Sequence, residues 1–154
     1  MSEVERILAH YDGVLSGNAW HGDPVWPMLE SISAEQAAAH AISNVHTIWE
    51  LVMHMVFWEE VAAQRLTGKP AGLIEARNFP AQPVATEENW RQTLGEFRAS
   101  NRAFRQALAK LDPGKLSQLT AAGKRTYYGE AHGVIEHHVY HLGQIVVLKK
   151  AQLA

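Results

Sequence analysis

The amino-acid sequence predicts an all-α fold, a four-helix bundle with a long connection between its second and third long helices. Three observations predict it. Apolar residues recur at helical spacing in four separate long stretches. No stretch shows sustained alternation of apolar and polar residues between turn residues, the pattern of a half-buried strand. Capping and breaking residues fall at the ends of the periodic stretches. Four helices that must each bury an apolar stripe, joined by loops, give a bundle.

Val4, Ile7, Leu8, Tyr11 and Leu15 mark the first helix, which should end near Ser16, Gly17 and Asn18. The stretch from Trp20 to Met28 holds two tryptophans, Gly22 and two prolines, and is expected to be a loop or an irregular turn. Ser33 to Gln36 has the spacing of a capping box and predicts a short helix. The second long helix is expected to start near Asn44, a plausible cap, and to run through Ile48, Leu51, Met55, Trp58 and Ala62 to Leu66. Gly68 and Pro70 stop it, and residues 69–85, with three prolines, form the long connection, either a crossover or a lid over one end. Thr86 opens the third helix, with Glu87 and Glu88 at its positive end. Its stripe is Trp90, Leu94, Phe97, Phe104 and Leu108, and Asp112, Pro113 and Gly114 end it. The last helix is expected from about Gly129 to Lys150.

The chain has 154 residues, the size of one domain, and is read as one domain over residues 1–154. At 47% hydrophobic and 19% charged residues it reads as globular rather than disordered. A formal net charge of -2 supplies no attraction to nucleic acid or an anionic membrane, so neither is an expected partner. The absence of cysteine excludes disulfides, thiolate-bound zinc and a cysteine nucleophile. The charged start, Met1 to Arg6, has no apolar signal region, and no apolar run is long enough to span a membrane. A cytoplasmic protein is the expectation.

The chemistry-bearing residues are among nine histidines. His137 and His141 are four apart on the last helix, so both project from one face. That face continues through Val134, Gln144 or Ile145, and Leu148, the expected core stripe. His54 lies in the stripe of the second helix, three residues after Leu51 and four before Trp58. Facing helices would bring the three imidazoles together, with room left on an ion for a substrate. Spacing alone leaves open a metal site or packed histidines. His138 is about 100° around the helix from His137 and is not expected to join them. His10, His21, His40, His46 and His132 are expected at the surface, in caps or in packing, with His10 or His21 at a pocket rim. Glu50, one turn before His54, is a candidate to orient an imidazole or act as a base. Gln144 is a candidate partner for His141. Glu59 and Glu60 are expected to be solvated, and Trp20, Trp26, Trp49 and Trp58 to pack.

Three segments resemble the DinB/YfiT-like superfamily of bacterial metal-binding four-helix bundles. They are Tyr11 to Gly13 with Ala19 to Gly22; His46 to Glu59; and Gly133 to Ile145. The string from His137 through His141 to Gly143, Gln144 and Ile145 is the most specific of them. The resemblance implies that His54, His137 and His141 form a facial triad for one divalent metal ion, zinc or nickel. It also implies a homodimer. Relatives include enzymes that use low-molecular-weight thiols. The leading expectation is a metal-dependent enzyme that activates such a thiol, or water, for attack on a small electrophile. A metal-dependent hydrolase and a non-enzymatic metal-binding stress protein are the alternatives.

Overall fold

The computed structural model describes residues 1–153, and among them the regular structure is helical. The helices are α1 (Glu3–Ser16), α2 (Val25–Glu30), α3 (Ala34–Ala38), α4 (Ile48–Leu66), α5 (Glu75–Asn78), α6 (Glu87–Ala109) and α7 (Tyr127–Ala151), with one 3-10 turn at Pro113–Lys115. The four long ones, α1, α4, α6 and α7, build the predicted bundle. Helix α4 packs on α6 and α7, and α1 packs on the same two helices. The pairs α1/α4 and α6/α7 therefore lie across the diagonals.

Local sequence explains where the helices start. Ser2, Ser33 and Thr47 each accept a hydrogen bond from the backbone three residues on, and Glu5, Gln36 and Glu50 close the capping boxes. Each box satisfies two of the amides a helix start leaves unpaired. Thr86 and Thr126 cap α6 and α7 in the simpler way. Helix α1 ends at Gly17, where a Cβ would stand 2.8 Å from the Cα of Gly13, so the turn closes only around glycine.

Several boundaries differ from expectation. The second long helix begins at Ile48, not near Asn44, because Thr47 with Glu50 makes a complete box. Asn44 sits at φ 60° in the preceding turn, a backbone region asparagine tolerates. Residues 20–28 are not all loop, since α2 starts at Val25 behind Pro24. Pro27 fits because amides in a first helical turn have no partner inside the helix. The long connection contains the short α5. Helix α7 starts two residues before Gly129.

One contiguous core runs through the bundle, with Tyr11, Trp49, Trp90, Phe97 and Phe104 among its largest buried side chains. The indole N–H groups are satisfied: Trp49 donates to Thr93 Oγ1 at 2.9 Å, and Trp90 to the Ile32 carbonyl at 2.8 Å. Trp26 donates to Asn101 Oδ1 at 3.0 Å, and Trp58 to Asn78 Oδ1 at 2.8 Å. Trp20 departs from the packing expectation and is fully exposed, because its loop runs outside the bundle. No helix among the described residues is long and apolar enough to cross a membrane.

Candidate metal centre

The bundle brings His54 of α4 against His137 and His141 of α7, as their places in the stripes predicted. His54 Nε2 lies 3.1 Å from His137 Nε2, and His141 Nε2 lies 3.0 Å from the same atom. His54 and His141 are buried and His137 is half-buried. Burial favours the uncharged ring in all three. His137 is pushed down to about 3, first by burial and then by the imidazoles of His141, His138 and His54. His54 and His141 are lowered too, again mainly by burial. Near neutral pH the triad is uncharged, the form that ligates metals.

The opposite ring nitrogens determine where the protons are. His54 Nδ1 is 2.8 Å from the Asn78 carbonyl, which only accepts, so Nδ1 carries the hydrogen. His141 Nδ1 donates to Gln144 Oε1 at 2.6 Å. Both Nε2 atoms thus present lone pairs toward His137 Nε2. At most one hydrogen on His137 could serve two acceptors, so the cluster is short of a donor and could hold a cation. Two imidazole nitrogens on one ion at about 2.0–2.1 Å stand roughly 2.8–3.4 Å apart for bond angles between about 90° and 110°. The observed spacings fit that range, and the residues present suit a divalent ion.

The long connection covers the site. Asn78 holds His54 by its carbonyl, and its side chain takes the Trp58 indole N–H. The Phe79 ring stacks on His54, centroids 4.1 Å apart and 8° from parallel. His46 stacks on Phe79 at 3.9 Å and 2°. Glu50 closes the capping box of α4. Its Oε2 accepts from the Thr47 amide at 2.8 Å and lies 3.2 Å from His46 Nδ1. Gln144 holds His141 as expected.

A cavity of about 370 Å³ lies between α4 and α7 beside the triad. Trp58 and Arg65 line it from α4, and Gly133, His137 and Tyr140 from α7. A Cβ at Gly133 would meet nothing within 4 Å, so this glycine, one turn before His137, leaves space. His10 and His21 are exposed and do not line this cavity. His40 and His46 are exposed, and His132 packs on Tyr128 at 4.3 Å.

A second polar cluster was missed. Glu59, expected to be solvated, is buried in the bundle centre. Tyr11 Oη donates to its Oε1 at 2.5 Å, while Ser100 Oγ and Asn101 Nδ2 donate to Oε2 at 2.5 and 2.7 Å. Burial is the main cause that raises its carboxyl to about 7. His138 is outside the triad, as expected, yet fully buried, with Nε2 3.6 Å from Glu59 Oε1, beyond hydrogen-bond reach. Burial pushes His138 down to about 3. Glu60, by contrast, sits near the surface, paired with Arg77 at 2.6 Å. The signal for Glu59 was its place one turn after Met55 in the apolar stripe. Asn78 and Phe79 carried no comparable signal.

Fold and site together define a helical bundle whose three-histidine cluster could hold a metal ion beside an open cavity. The family model described as the DinB superfamily matches residues 20–145, and the chain belongs to that superfamily. No curated protein and no solved structure matches it.

Proposed function

We propose that the chain binds one divalent ion, zinc or nickel, through His54, His137 and His141, and serves as an enzyme that activates a low-molecular-weight thiol for attack on a small electrophile. One observation carries the reading: three uncharged imidazole nitrogens, short of a donor, converge beside a cavity that His137 also lines. When bound, the ion supplies the Lewis acidity that makes a thiol or water nucleophilic near neutral pH. The chain supplies orientation. Asn78 and Phe79 fix the His54 ring, Gln144 fixes His141, and Trp58 and Tyr140 offer apolar walls to the electrophile. Glu50, held by the Thr47 amide, is the carboxylate that takes up the released proton in this reading. A homodimer belongs to the same proposal, with exposed Val147 of α7 in the surface it would cover.

The test is elemental analysis of untagged protein, followed by conjugation of a thiol to a model electrophile. About one ion per chain is expected, with turnover that His141→Ala abolishes. Glu50→Gln should keep the ion but slow turnover and shift its pH profile. Equal background rates for wild type and His141→Ala would sink the enzyme reading. Ester or amide cleavage in thiol-free buffer would assign the site to a hydrolase. An ion that only raises the melting temperature would assign it to a metal-stabilised stress protein.

A further inference from the structure

A second cavity, of about 160 Å³, opens between α1, α2 and α6. Tyr11, Leu15, Trp26 and Asn101 are its buried lining, and Arg98, Arg102 and Arg105 its exposed lining. It shares no residue with the cavity beside the triad, so it does not depend on the metal centre. The three arginines stand at positions i, i+4 and i+7 of α6, on one face and within about 10 Å along the axis.

Among the described residues no carboxylate lines this cavity. Arg98 lies over the Trp26 ring, 3.8 Å from its centroid, and pairs through Nη2 with Glu30. Arg105 pairs with Asp12 through Nε at 3.0 Å and Nη2 at 3.0 Å. Both pairs are exposed, and neither occupies all the N–H donors of its guanidinium. Arg102 has no hydrogen-bond or ion-pair partner among the described residues. Its neighbours one turn away on either side are Arg98 and Arg105, and like charges at that spacing destabilise a helix. Three cations against two carboxylates leave one positive charge uncompensated. Glu59 lies behind the buried lining, bonded to Tyr11 and Asn101, and burial raises its carboxyl to about 7, so it opposes an anion only in part. A divalent ion at the triad would add positive charge and not oppose an anion here.

We infer that this cavity binds a phosphate group, free or carried by a small phosphomonoester. The open N–H edges belong to three guanidiniums, so the ligand needs oxygens facing three ways. A carboxylate has two oxygens in one plane and suits a single arginine fork. A phosphate group presents three strong acceptor oxygens and close to two charges near neutral pH. Arginine is the side chain whose planar fork matches it. At roughly 30 Å³ per water the volume equals about five waters, room for a phosphate with a few attached atoms and not for a nucleotide.

The experiment is calorimetric titration of the full chain, as purified and at fixed ionic strength, with inorganic phosphate, glycerol phosphate and acetate. Both phosphates should bind, and acetate at least about tenfold more weakly. Tighter binding of glycerol phosphate would identify an organic phosphate as the ligand, and tighter binding of inorganic phosphate the free anion. Arg102→Gln should weaken both phosphates about tenfold or more. Arg91→Gln removes the same charge from α6 outside the cavity and should leave both affinities unchanged. Without phosphate, Arg102→Gln should melt at or above the wild-type temperature, because it removes the like-charge contacts. Absence of phosphate binding, or acetate binding as tightly, overturns the inference. Binding that survives Arg102→Gln places the anion elsewhere, the triad included, and overturns it too. Equal losses in Arg91→Gln and Arg102→Gln would reduce the effect to the diffuse charge of α6, and a lower melting temperature for Arg102→Gln would mean that Arg102 serves the fold; either result overturns it.

Discussion

Two polar clusters sit one residue apart on α7, and they are built on opposite principles. At His137 and His141 the acceptors outnumber the donors, and the nitrogens face one another beside a cavity. At His138 the neighbouring carboxylate of Glu59 is supplied with donors from α1 and α6, and the cluster is buried. The first is incomplete without a ligand. The second is complete within the chain, apart from the His138 ring, whose two nitrogens find no partner. Histidine content says nothing about which is which; the balance of donors and acceptors, and the opening, do.

The comparison breaks first at the ligands. His54→Ala should lower metal content from about one per chain to near zero, read by elemental analysis, while circular dichroism stays helical. Full retention of the ion would make the convergence of nitrogens incidental. The buried cluster should respond in stability instead. Glu59→Ala removes the shared acceptor of Tyr11, Ser100 and Asn101 and should cost about 3 kcal/mol in urea unfolding, with the metal content of the folded protein unchanged.

The third prediction concerns pH. Glu59 has its folded carboxyl raised from the ordinary 4.5 to about 7. Between those values the unfolded chain gives up the proton and the folded one keeps it. Its contribution to stability is therefore full below about 4.5 and lost as pH rises through 7. The full loss is on the order of 3 kcal/mol. The buried histidines are lowered and act in the opposite sense over part of that range, so the measurable quantity is a difference. Metal-free wild type minus Glu59→Gln, by urea unfolding at pH 5 and pH 8, should fall as pH rises. A difference independent of pH would mean that Glu59 ionises normally.

Two smaller effects sharpen the contrast. Gln144→Leu removes the acceptor from His141 Nδ1 and should weaken metal binding about tenfold in a competitive titration, with little change in metal-free stability. Gly133→Ala replaces a helical glycine facing open space. It should stabilise the metal-free chain by about 0.5–1 kcal/mol and slow turnover by narrowing the groove. Stabilisation with unchanged turnover would show that the groove is not used.

Much of this architecture was readable in the residues. Ser33 with Gln36, and Thr86 before two glutamates, state helix starts that need no tertiary contact. The triad was readable because His54, His137 and His141 each repeat the period of an apolar stripe. Thr47 with Glu50 carried a stronger start signal than Asn44, yet both are capping residues, and only the completed box separates them. Helix α7 is apolar on most of its surface, so its stripe could be drawn through His137 or through His138; the structure buries parts of both. Glu59 looked like any glutamate beside Glu60, because a carboxylate in a core stripe is recognised only once its donors on other helices are known. Asn78 and Phe79 come from a connection without periodicity, and their approach to His54 is a product of tertiary folding.

The Asn78 carbonyl that holds His54 gives the connection a thermodynamic stake in the site. A loop-borne acceptor fixes which nitrogen of His54 is free, so on the proposed reading the placement of residues 69–85 and an ion at the triad would be linked. Whatever factor loop closure adds to ion affinity, the ion must return to loop closure. Protease sensitivity between Pro70 and Pro83 should therefore track metal occupancy, which lets a strand of ordinary-looking connection report on the state of the centre beneath it.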